Sequence, residues 1–287
     1  MQLLSLTDLS KTQLFELIRA AAAEASGGES VPDGAVALLF LEDSTRTRIS
    51  FERASQKLGR PVINMDVAHS SLNKGESFCE TLDVLLDYGV KTVVLRSREA
   101  LFEASELPAE INLISAGQGT EYHPTQVMGD AAALLEYFGL ESVEDLSTKR
   151  VLLCGDLRHS RVAHSWYELS KLLGMTLHLA APKPWLPSWG EELRCFQSLG
   201  PAIEQSDILI SLRVQKERHK QSEVDLSSYI RDFQANLANV QGRPVLHPGP
   251  TNWGVELAEE IQSYKKSLIR AQRIGCYRVR TELLRRF

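Results

Sequence analysis

The chain has 287 residues, a net charge of −5 and 24% charged residues, the composition of an ordinary globular protein long enough for two domains. The acidic balance gives no support to a nucleic-acid partner. No apolar run is long enough to span a membrane, and the start Met1-Gln2-Leu3-Leu4 lacks the basic-then-apolar pattern of a signal peptide, so a cytoplasmic protein with no membrane partner is expected.

The elements follow in chain order. The apolar run Ala35–Leu41 predicts a buried strand, and Phe51, Ala54 and Leu58, stopping at Gly59, predict a helix over 44–58. Further strands are predicted at Val62–Asp66, Thr92–Leu95 and Asn112–Ser115, with helices over 75–88, 99–106 and 125–138. The polar stretch Glu141–Arg150 breaks the series. It then restarts with a strand at Val151–Cys154, a helix over 160–173 ending at Gly174, and strands at Met175–Ala180, Asp207–Leu212 and Pro244–His247. This alternation predicts an α/β protein of two domains, each a parallel sheet flanked by helices. Pro182, Pro184, Pro187, Trp185 and Trp189 mark an irregular connection, read as packing rather than as a binding platform.

Chemistry-bearing residues gather at strand ends, where open parallel sheets bind ligands. Ser44-Thr45-Arg46-Thr47-Arg48 sits where the first strand turns into a helix. Hydroxyls and a guanidinium beside unpaired helical amides make an oxyanion site, most naturally for phosphate. Ser44 and Thr45 also read as plain helix caps, and Arg46 as a solvated charge. Arg96 follows Thr92–Leu95; His123-Pro124-Thr125-Gln126 opens a helix; Arg158 and Arg161 follow Val151–Cys154; Arg213 and Gln215 follow Asp207–Leu212; His247-Pro248-Gly249-Pro250 follows the last strand. Ser70–Ser77, with Lys74 before Gly75, reads as a polar loop capping the next helix or as a lid for an anionic substrate. The four cysteines, Cys79, Cys154, Cys195 and Cys276, are dispersed without a C-x-x-C pair, and the seven histidines without H-E-x-x-H, so no metal site and no cofactor are expected.

These segments, in this order, resemble the aspartate/ornithine carbamoyltransferase family, beginning with the S-T-R-T-R-x-S-F-E string at Ser44–Glu52. Three features point to the aspartate branch: Lys74 in its loop, the string Leu212–Arg218, and His247-Pro248-Gly249-Pro250 in place of the H-C-L-P of the ornithine branch. The resemblance implies transfer of the carbamoyl group of carbamoyl phosphate to the amine of L-aspartate, in pyrimidine synthesis, at a site in the crevice between the two domains.

By the same resemblance, Ser44, Thr45, Arg46, Thr47 and Arg96 hold phosphate, and Thr47, Arg96 and His123 polarise the carbonyl. Gln126 and the carbonyls of Pro248 and Gly249, beside Pro250, hold the carbamoyl amine. Lys74, Arg161, Arg213 and Gln215 bind aspartate, and Glu42 joins Arg161 and Arg218 in closing the domains. A carbamoyl-phosphate domain over 1–140, an aspartate domain over 141–269 and a last helix over 270–287 returning to the first are implied. So is a homotrimer with shared sites, Ser70 or Ser71 and Lys74 coming from a neighbour, with a regulatory chain or a dihydroorotase as candidate partners. Two other readings are a different amine acceptor and a silent scaffold subunit. Trp253, Ile274-Gly275-Cys276 and Ser97 depart from the family pattern.

Overall fold

The computed structural model describes residues 2–23, 31–65, 70–99, 101–119, 121–215 and 224–287. The chain forms two units. The first comprises residues 1–132 and 275–287, the second residues 133–274. The divisions fall inside two helices, whereas the sequence reading put the first join in the polar stretch Glu141–Arg150.

The first unit begins with β1 (Gln2–Leu3), α1 (Lys11–Ala22), β2 (Val36–Phe40), α2 (Thr45–Lys57) and β3 (Val62–Met65). It continues through α3 (Phe78–Asp87), β4 (Thr92–Ser97), β5 (Asn112–Gln118) and the start of α4 (Pro124–Phe138). Its strands pair in parallel in the order β1-β5-β4-β2-β3. Val36–Leu39 and Thr92–Leu95 are buried throughout. Central strands of a parallel sheet are covered on both faces, which is why they read as unbroken apolar runs.

Two expectations are corrected. The helix over 75–88 begins only at Phe78. Gly75, at φ +95°, closes a 3-10 turn, and Ser77 caps α3 in a reciprocal box with Glu80. The predicted helix at 99–106 is reduced to a 3-10 turn at Ala104–Glu106. Glu103 is extended, Phe102 stacks on Phe78 at 5.1 Å, and Pro108 disfavours helical backbone at Leu107. The apolar residues here meet the core from a loop.

The second unit holds β6 (Val151–Gly155), α5 (Arg161–Leu173), β7 (Leu177–Ala180), β8 (Arg194–Phe196) and α6 (Leu199–Glu204). β9 (Ile208–Leu212), α7 (Leu226–Phe233), β10 (Val245–Leu246) and the start of α8 (Ile269–Arg286) complete it. The sheet is again parallel, in the order β10-β9-β6-β7-β8. In the proline-rich connection Trp185 is buried against Tyr229 at 5.1 Å, and Trp189 stacks on Tyr167 at 4.9 Å.

Residues 275–287 complete the first unit. Arg60 donates to the Leu284 carbonyl at 2.8 Å, while Thr92 Oγ1 and Asn112 Nδ2 donate to the main-chain oxygen of Phe287 at 2.6 and 3.1 Å. α8 lies so close to α4 that a Cβ on Gly129 would stand 2.5 Å from the amide nitrogen and Sγ of Cys276. Glycine is required there by the approach of the two backbones. Among the described residues no helix is long and apolar enough to cross a membrane.

Candidate active site

In the first sheet the chain leaves β2 for β3 on one side and returns to β4 on the other. β2 and β4 are therefore neighbours at a switch point, where loops part and leave room for a ligand. Phe40 registers with Arg96, and Leu41 N donates to the Arg96 carbonyl at 2.8 Å. Strand register thus brings Arg96 level with the turn carrying Ser44–Thr47.

Ser44 occupies the N-cap of α2, yet its side chain accepts no bond from the helical amides. Ser10, Ser77 and Ser160 do cap α1, α3 and α5 through their hydroxyls. Thr47 is buried in the first turn, while Thr45 and Arg46 are exposed. The positive end of the helix dipole adds to these groups. Arg96 is held by a bond from Nη1 to the Ala116 carbonyl at 2.8 Å. Glu42 Oε2 lies 3.6 Å from Arg96 Nε, and its Oε1 lies 3.5 Å from Arg98 Nε. Arg218, one of the expected partners of Glu42, lies outside the described residues.

At the end of β5, Gln118 pairs with Tyr122, turning the chain into His123 and α4. Pro124 opens that helix, where its missing amide hydrogen costs nothing. His123, Thr125 and Gln126 are all buried. Gln126 Nε2 donates to Oδ1 of the fully buried Asp130 at 2.8 Å. Lys74 is exposed at the end of the Ser71–Lys74 turn, whose cap is the Ser70 hydroxyl.

The second sheet repeats the device. β6 and β9 flank its switch point, with Gly155 paired to Leu212. A Cβ on Gly155 would stand 2.3 Å from the Leu212 carbonyl oxygen, and its φ is +131°, so glycine is required where these strands part. Beyond them, Asp156 is fully buried. Its Oδ1 meets His159 Nδ1 at 2.9 Å, and its Oδ2 accepts from the Gln215 amide at 3.3 Å. Gln215 Nε2 donates to the His159 carbonyl at 2.7 Å. The two loops are thereby fastened together, with Arg161 buried in the first turn of α5 and Arg213 half-buried after β9. Arg158 is exposed and bonds to the proline-rich connection through Pro184 and Trp185.

A third loop joins this cluster. The Gly249 amide donates to His247 Nδ1 at 2.9 Å, so Nδ1 is the accepting nitrogen and Nε2–H faces Glu256 Oε1 at 3.2 Å. Glu256 also accepts from the Asn252 amide at 2.6 Å, and Asn252 Nδ2 donates to the Val214 carbonyl at 3.1 Å. This ties Pro248-Gly249-Pro250 to the loop of Arg213 and Gln215; the Gly249–Pro250 bond is cis. Asn252, Glu256 and Asp130 were not singled out from sequence, and Asp156 was read there only as part of a helix-start charge cluster with Arg158. The helical four-residue spacing Gln126–Asp130 was an available signal.

Burial pushes the Cys154 and Cys276 thiols up to about 12, so both stay protonated at neutral pH.

Residues 1–136 match the family described as aspartate/ornithine carbamoyltransferase, carbamoyl-P binding domain, and residues 147–281 match its Asp/Orn binding domain. The chain belongs to the aspartate/ornithine carbamoyltransferase family. This carbamoyltransferase is similar to the aspartate transcarbamoylase of Trypanosoma cruzi solved with carbamoyl aspartate and phosphate: TM-score 0.80, 26% identity, over 99% of this chain and 94% of that one. The same Trypanosoma cruzi enzyme with N-(phosphonacetyl)-L-aspartic acid gives 0.81 and 27%, again over 99% and 94%. The catalytic subunit of M. jannaschii aspartate transcarbamoylase gives 0.82 and 25%, over 99% and 97%.

Proposed function

We propose that this carbamoyltransferase moves the carbamoyl group of carbamoyl phosphate to the amine of L-aspartate, giving N-carbamoyl-L-aspartate and phosphate for pyrimidine synthesis. The observation that carries the reading is the first-sheet switch point, where register pairs Arg96 with Phe40 at the strand end that leads into the helix-start motif Ser44–Thr47. It is supported by the likeness to enzymes solved with carbamoyl phosphate and with carbamoyl aspartate.

In this mechanism Ser44, Thr45, Arg46, Thr47 and Arg96 hold the phosphate. Thr47, Arg96 and His123 donate to the carbonyl oxygen, and Gln126 with the Pro248 and Gly249 carbonyls accepts from the carbamoyl amine. Lys74, Arg161, Arg213 and Gln215 take the two carboxylates of aspartate. The neutral amine attacks the carbonyl carbon, the oxyanion is stabilised by fixed donors, the acyl C–O bond breaks with its electron pair going to phosphate, and the departing phosphate takes the amine's proton. Orientation and preorganised charge do the work, with no covalent step on the protein.

A homotrimer belongs to this proposal, with Lys74 supplied to a neighbouring site, as does the cytoplasm as the place of reaction, where four free thiols persist. A regulatory chain or a dihydroorotase is its candidate partner. The test is turnover with carbamoyl phosphate against aspartate, ornithine and N-acylated amino acids. Aspartate alone should be carbamoylated. Use of another acceptor would reassign the second unit, and no turnover with any would favour a scaffold.

A further inference from the structure

Asp130 sits one helical turn after Gln126 on α4, completely buried, and accepts from Gln126 Nε2 at 2.8 Å. A carboxylate only accepts, whereas a primary amide has one donating and one accepting end. The contact therefore decides which way the Gln126 amide is turned. Nε2 is held on Asp130, and Oε1 is the end presented as an acceptor.

Arg280 lies near that carboxylate. Its guanidinium is buried on α8, where loss of water lowers its pKa and the nearby Cys276 and Asp130 only partly offset this. Arg280 also donates to the Ser50 hydroxyl on α2 and, at 3.5 Å, to Thr125 Oγ1 on the first turn of α4. The close approach at Gly129 and Cys276 is what lets α8 reach this place.

Building on the carbamoyl-transfer reading, we propose that Asp130 is a positioning residue: by fixing Gln126 as an acceptor, it makes the first unit select an acyl phosphate bearing an amino group over one bearing a methyl group. Carbamoyl and acetyl phosphate have nearly the same shape. The first offers hydrogens to Gln126 Oε1, and the second leaves that oxygen without a bond, at a cost in affinity. An amide turned the other way would set donor against donor and lose the preference.

The test is calorimetric titration of the full-length protein with carbamoyl phosphate and with acetyl phosphate. Wild type should favour carbamoyl phosphate by about tenfold or more. Asn can donate as well as accept, so Asp130→Asn frees the amide to turn; carbamoyl phosphate should weaken several-fold while acetyl phosphate stays within about twofold. Gln126→Met should narrow the ratio likewise, and the double variant should narrow it no further. Equal weakening of both ligands in Asp130→Asn would show a packing role and overturn the inference. So would a wild-type ratio in Gln126→Met.

A second measurement needs no change at Asp130. In wild-type protein with 15N-glutamine, the side-chain amide of Gln126, assigned by its loss in Gln126→Met, should show one proton protected from exchange. Two freely exchanging protons would overturn the fixed orientation even if Asp130→Asn failed to fold. Wild type that binds neither ligand would overturn the carbamoyl-transfer reading itself, and the inference with it.

Discussion

Glu42 Oε2 stands 3.6 Å from Arg96 Nε, so the arginine proposed above to hold phosphate already has a carboxylate at its side. The two are joined through strand register, since Arg96 lies near the end of β4 beside Phe40 and Glu42 follows β2. A carboxylate next to an anion-binding cation opposes a second anion. Glu42→Gln removes that counter-charge and should tighten inorganic phosphate binding by about two- to fivefold at low salt, with the gain fading as salt rises. Calorimetry across a salt series reads this out. Unchanged phosphate affinity would show that the carboxylate is not felt at the cradle.

Arg46 is exposed on the first turn of α2, so it supplies charge rather than core. Arg46→Ala should unfold at the wild-type temperature while kcat/KM falls by an amount worth about 2–4 kcal/mol. Thermal denaturation beside steady-state kinetics separates the two effects. Near-normal turnover would remove Arg46 from the phosphate site.

Lys74 lies on an exposed turn that a neighbouring chain could receive. If sites are shared, Lys74→Ala and Arg46→Ala chains, each inactive alone, should regain activity when unfolded and reassembled together. Some mixed trimers then hold one site with both residues intact. Equilibrated hybrids without activity, or an active monomer by light scattering, would end the shared-site proposal.

Asp207 accepts from the Arg150 side chain at 2.9 and 3.0 Å and from its backbone amide at 2.9 Å, closing the entry to β9 against the entry to β6. Those bonds, led by the side-chain one, hold the Asp207 carboxyl below the usual carboxylate range. A lowered folded value means the stabilisation is present above the unfolded value, about 3.9, and is lost as pH falls through the folded one. Asp207→Asn should therefore cost about 0.5–1 kcal/mol near neutral pH, discounted for solvent exposure, with the gap to wild type shrinking towards about pH 3. Urea denaturation at several pH values checks it. A gap independent of pH would assign the cost to shape rather than charge.

The central strands were legible because parallel strands covered on both faces leave continuous apolar sequence, as at Val36–Leu39 and Val151–Cys154. β1, two residues long, and β8, with Arg194 and Cys195 exposed, carry no such signal, and α1 went unread despite its Ser10 cap. The false helix at 99–106 came from counting apolar residues that reach the core from a loop. Around the candidate site, Ser44–Thr47 and His123–Gln126 could be read as strings because each is contiguous. The groups that hold them could not. Arg280 is separated from Ser50 by 230 positions, and Asn252 from Val214 by 38. Only the folded chain shows which buried polar group meets which partner.

The first unit is discontinuous, since residues 275–287 return to it after the whole second unit has been made. On the ribosome, residues 133–274 emerge while Arg60, Thr92 and Asn112 still await the oxygens of Leu284 and Phe287. The order of synthesis is therefore not the order of completion: the unit begun first is finished last. A chain stalled before Gly275 would carry every residue assigned above to either substrate, yet leave Arg60 and Thr92 without those acceptors. Translational arrest just before Gly275 should thus yield a protein whose second unit resists protease while its first is digested.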